Sequence, residues 1–137
     1  LLAGVTRGVA ARTDTAHRPP SWERVHELED TLTRANRAET EGRLGDAFSA
    51  FGELATATDA PWFRAAGVAG RHRLAQAARS VLADAESLAT GDPQAAERAL
   101  RAALGRFEHT PFAADLALTL RVLEAGARFP RLEESHR

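Results

Sequence analysis

The chain has 137 residues, a formal net charge of −1 and no cysteine. That length fits one domain whose folding buries about two thirds of the extended-chain surface. Near-neutrality excludes a general attraction to nucleic acid or anionic lipid, and the missing cysteine excludes disulfide and thiolate chemistry.

The composition reads as all-α. Isoleucine and tyrosine are absent and valine occurs six times, so the β-branched and aromatic residues that strands need are scarce. Alanine, leucine, arginine and glutamate, all strong helix formers, fill most of the chain. Every basic residue is arginine, which fits a GC-rich bacterial genome as well as it fits any function. The longest apolar runs fall far short of the ~20 residues that a bilayer crossing needs.

Residues 1–20 carry no sustained periodicity and end at Pro19-Pro20, so they read as a flexible segment or linker. Leu1-Leu2-Ala3-Gly4 followed by Arg7 and Arg12 fits the tail of a removed membrane or signal segment. It fits an arbitrary boundary in a larger soluble protein equally. The second case favours a cytoplasmic location and the first a membrane-anchored soluble domain, with membrane contact only through the removed segment.

The helical domain is expected over 21–130, with a short tail at 131–137. Ser21 stands as an N-cap with Glu23 in the first turn. A helical stripe then runs through Trp22, Val25, Leu28, Leu32 and Ala35 until Gly42-Arg43-Leu44-Gly45 breaks it. A second stripe, Ala47, Phe48, Phe51, Leu54 and Ala55, stops near Pro61.

The third segment, about 62–90, is the longest; Gly67 and Gly70 predict a kink or break in its first half. Gly91-Asp92-Pro93 closes it and opens the fourth, with Asp92 as N-cap and Pro93 in the first helical position. The fourth buries Ala96, Ala99, Leu100, Ala103, Leu104 and Phe107. The fifth starts at Phe112, uses Leu116, Leu120 and Leu123, and ends at Gly126 and Pro130. Five helices joined by short turns make a row of antiparallel hairpins.

The pattern repeats. A shift of 49 residues pairs Gly42 with Gly91, Ala47 with Ala96 and Phe51 with Leu100, and one further residue brings Pro61-Trp62 onto Pro111-Phe112. One pair fails, because Ala35 meets Asp84. The order of Ala35, Gly42, Ala47 and Phe51 (small residue, turn glycine, small residue, large apolar knob) resembles the tetratricopeptide (TPR) repeat. Gly91, Ala96 and Leu100 match three of its four positions. The resemblance covers roughly residues 22–127. It departs in its 49-residue length, where 34 is usual, and in lacking the family's early tryptophan and tyrosine. It implies a TPR-like solenoid of about five helices and scaffold or adaptor work; a closed helical bundle is the alternative fold.

A search for chemistry returns little. The five histidines are scattered without metal-ligand spacing, and no nucleophile elbow, Walker loop or dinucleotide fingerprint occurs. The carboxylates between Glu23 and Glu41 read as one solvated helix face. No catalytic residue, metal or cofactor is expected, and the chain is read as a non-enzyme.

Two features point to partners. Residues 61–83 hold four arginines and no acid, and Arg64, Arg71, His72 and Arg79 share about 100° of a straight helix. Such a stripe suits a partner's carboxylates, or pairs with the acidic 21–60 region within the domain or across a dimer. The last helix carries Leu118 and Val122 outside its core stripe, a face that either lies in the core or wants a cover. Arg64, Arg71, Arg79, Leu118 and Val122 are therefore the candidate partner-binding residues. The expected role is a peptide- or protein-binding module, with a self-associating structural domain or homodimer as the alternative. Nucleic acid is not expected, since four arginines are few and no stacking aromatics interleave them.

Overall fold

The computed structural model describes residues 18–128, which form five α-helices and no strand. We number them α1 (Trp22–Thr40), α2 (Leu44–Ala55), α3 (Pro61–Gly91), α4 (Pro93–Arg106) and α5 (Phe112–Arg128). Of the N-terminal segment only residues 18–20 are described, without regular structure. Pro130 and the 131–137 tail lie outside the described residues.

Local chemistry sets the helix ends. The Ser21 hydroxyl accepts a hydrogen bond from the Arg24 amide at 3.2 Å, satisfying one orphan donor of α1. At the other end Gly42 adopts φ +80°, and the amide of Arg43 reaches back to the Ala38 carbonyl at 2.8 Å. Asp92 alone joins α3 to α4; its carboxylate accepts from the Ala95 amide at 3.1 Å, and Pro93 follows in the first turn. Within the described residues Gly126 does not stop α5, which runs on to Arg128.

α3 is one uninterrupted helix of 31 residues. The kink expected at Gly67 and Gly70 does not form. These glycines serve close packing instead: a Cβ on Gly67 would strike the backbone of Phe51 and Ala55, and one on Gly70 would strike the Phe51 ring. The absent side chains let α2 and α3 approach until Phe51 is fully enclosed. Enclosing such a side chain is worth about 1.5–3 kcal/mol relative to leaving it in water.

Each helix packs mainly on its sequence neighbours; α3 also touches α1 and α5, while α1 and α5 share no comparable contact. α3 works twice. Its first half packs on α2 through Gly67 and Gly70, and its second half carries Ala78 and Ala85 into the core beside α4.

The internal repeat is visible in burial, with one correction to its register. Ala47 and Ala96, Phe51 and Leu100, and Leu54 and Ala103 are all fully buried, so α2 and α4 keep the 49-residue shift. Asp84, however, is exposed, and Ala85 is the buried partner of Ala35. From α1 to the second half of α3 the shift is therefore 50, and Leu28 with Ala78 and Leu32 with Leu82 follow it. The shorter turn between α3 and α4 absorbs the extra residue. Asp84 does not disturb the second hairpin.

Other expectations also change. Trp22, placed on the α1 stripe, is 74 % exposed and meets His26 edge-on at 4.8 Å. As an opening residue of its helix, it lies beyond the reach of α2. Trp62 at the start of α3 is likewise exposed.

Candidate functional site

The arginines of α3 divide by register. Arg64 and Arg79 are exposed, and neither takes part in an ion pair among the described residues. Arg71 is different. Its guanidinium lies 4.0 Å from the centre of the Phe48 ring, and its Nε donates to the Phe48 carbonyl at 3.1 Å. A Cβ on Gly52 would collide with that guanidinium, so the glycine makes its bed on α2. Three residues expected on one free stripe thus become two solvent-facing cations and one packed against α2.

Arg73, beside the stripe, joins the basic helix to the acidic one. It donates to both carboxylate oxygens of Glu39 on α1, at 3.0 and 3.2 Å, and sits 5.4 Å from the Phe51 ring. The Glu39 hydrogen bonds hold its guanidinium pKa above the ordinary value, against some loss from burial. At the other end of α1, Arg24 bridges to Asp59 at 3.0 Å and to Glu27 at 3.3 Å. The Arg24 hydrogen bond in turn keeps the Asp59 carboxyl below the usual carboxylate range.

Leu118 and Val122 stand uncovered on α5, 56 % and 65 % exposed. They form one wall of a groove of about 320 Å³ between α5 and the second half of α3. Ala85 and Ala89 form the opposite wall, Leu100 of α4 the floor, and Leu123 of α5 completes the apolar lining. Glu86 and Thr119 are its polar lining residues. Leu100 was legible only as a core position, and Ala89 was not singled out. No sequence signal marks them as a site, because which flank of α5 stays open depends on how α3 and α5 pack.

A second cleft of about 330 Å³ lies between α1 and α2, where Arg34, Arg37, Arg43, Asp46, Ser49 and Glu53 surround Ala38 and Ala50. Its charges largely answer one another: Arg34 meets Glu53 at 3.5 Å and Arg43 meets Asp46 at 2.8 Å. The apolar groove has no such internal answer.

Among the described residues no three histidine or carboxylate side chains cluster as metal ligands. His26 and His109 are exposed, and His72 meets Gln76 at 3.5 Å. No described helix is long and apolar enough to cross a membrane. The chain matches no protein-family model, and no curated protein or solved structure is significantly similar to it.

Proposed function

We propose that the chain is a non-catalytic protein-interaction module, an adaptor or scaffold that holds a peptide or protein partner on its helical-hairpin surface. The observation that carries this reading is the open groove between α3 and α5, where Leu118 and Val122 face solvent beside an aliphatic floor. A groove of this kind offers shape and apolar contact to a side-chain row and offers nothing to a reacting bond. The TPR-like reading is supported by the paired small and large residues, Ala47 with Phe51 and Ala96 with Leu100, all fully buried.

The test is affinity capture from a cell extract with immobilised wild type beside Leu118→Glu/Val122→Glu. Both sites are exposed, so the variant keeps its fold, which circular dichroism checks. The reading expects a discrete protein that wild type retains and the variant loses. Identical captures from both remove the groove from the function. Arg64→Glu/Arg79→Glu run alongside tests the basic stripe as a second contact.

A second reading, self-association, has its own supporting observation: α5 is the last described helix and leaves its Leu118 face without a cover.

A further inference from the structure

The chain has two tryptophans, and both face solvent: Trp22 is 74 % exposed and Trp62 68 %. An indole ring carries a large apolar surface that a fold ordinarily covers for the most part, so two left open call for a physical reason. Each stands in the first turn of its helix, and two ion pairs bring those turns to one end of the molecule. Arg24 on α1 meets Asp59, just before α3, and Glu39 on α1 meets Arg73 on α3. From the first pair to the second, α1 advances by 15 residues and the strand of chain entering α3 by 14. The two helices therefore run side by side in one sense and start together.

Neither ring borders the groove between α3 and α5 or the cleft between α1 and α2. A partner protein finds no hole there for a side chain. A lipid interface needs none, since its headgroup zone accepts an aromatic ring with the N–H turned towards water.

The chain enters at the same end, where Pro19 and Pro20 lead into Ser21, the cap of α1. Residues 1–18 hold Arg7, Arg12 and Arg18 against one acid, Asp14, together with Leu1, Leu2, Val5 and Val9. The folded end adds no net base of its own. Arg24 is engaged by Asp59 and Glu27, and exposed Glu23 stands against exposed Arg64. The positive charge here belongs to the leading segment. Two weak membrane signals, aromatic rings and a basic apolar stretch, are thus joined at one place; one such signal holds a protein to a bilayer only marginally, and two hold it stably. No described helix is long and apolar enough to cross, so the contact is one of surfaces.

We propose that the end of the molecule where α1 and α3 begin seats on the surface of an anionic lipid bilayer. Trp22 and Trp62 enter the headgroup zone, and Arg7 and Arg12 meet lipid phosphates. From Trp62 to Ala85 is 23 residues of unbroken helix, about 35 Å, so the α3–α5 groove is remote from this end and stays open to a protein partner.

The experiment is cosedimentation of the full chain with vesicles of phosphatidylcholine and phosphatidylglycerol in equal parts, read together with tryptophan emission. Because the chain has no other tryptophan, the emission reports on this end alone. Wild type should sediment with the vesicles, and its emission should shift to the blue. Trp22→Ser/Trp62→Ser and, separately, Arg7→Glu/Arg12→Glu should each lose at least about tenfold in partition. Both rings are exposed and both arginines precede the first helix, so the variants keep their helices, which circular dichroism checks. Absence of sedimentation, sedimentation with unshifted emission, or wild-type partition by either variant overturns the proposal. Groove-dependent capture of a protein from an extract is a separate result, so the two readings fail separately.

Discussion

The ring of Phe51 fills the space into which a Cβ on Gly70 would project. Gly70→Ala should therefore destabilise the fold by about 1–3 kcal/mol, because neither the ring nor α2 can retreat from a closed core. Gly105, the penultimate residue of α4, has nothing within 4 Å of its Cβ position. There the same substitution should stabilise by up to about 0.5 kcal/mol, through helix propensity alone. Urea midpoints of the two variants should move in opposite directions.

Arg71→Ala removes the cation over Phe48 and the hydrogen bond to the Phe48 carbonyl, and should cost about 1–2 kcal/mol. Arg64→Ala and Arg79→Ala, both exposed, should stay within about 0.5 kcal/mol of wild type. Equal effects at all three would show that Arg71 contributes no more than a surface charge.

The Arg24–Asp59 pair gives stability a pH dependence of known sign. Its hydrogen bond depresses the Asp59 pKa in the folded state, so the contribution is complete above the unfolded carboxyl value near about 4. It disappears as pH falls through the lower, folded value. Asp59→Asn should lower the urea midpoint at pH 7, and the gap from wild type should close on the acid side of that range. Both side chains are substantially exposed, so the gap is small and should shrink further in high salt.

The charged bridge of the first unit can be transplanted. Ala89→Glu/Leu123→Arg should span the apolar groove as Glu39 and Arg73 span its counterpart. The double variant should remain helical by circular dichroism and lose the protein that wild type retains in affinity capture. Unchanged capture would remove the groove from the function.

Much of this architecture was legible before any coordinates. Ser21, Asp92 and Pro93 announce helix starts because capping is local chemistry, readable from a few neighbouring residues. The alternation of small and large residues on α2 and α4 was equally open, since both helices are buried along one stripe. Register was harder: Ala85 and Asp84 differ by one position, and a shortened turn shifts one helix but not the next. Gly67 and Gly70 misled because glycine weakens a helix and also admits a neighbour, and only the neighbour distinguishes the two. Arg71 was unreadable as a packed residue, since its partners Phe48 and Gly52 lie on another helix. Leu118 and Val122 were legible as a second apolar face, but periodicity alone does not say which side of a helix stays uncovered.

The two hairpins have no hinge between them, because one continuous rod, α3, belongs to both. Gly67 and Gly70 on that rod enclose Phe51, and Ala85 and Ala89 on it line the groove, so the two units share one backbone element and cannot be parted at a linker.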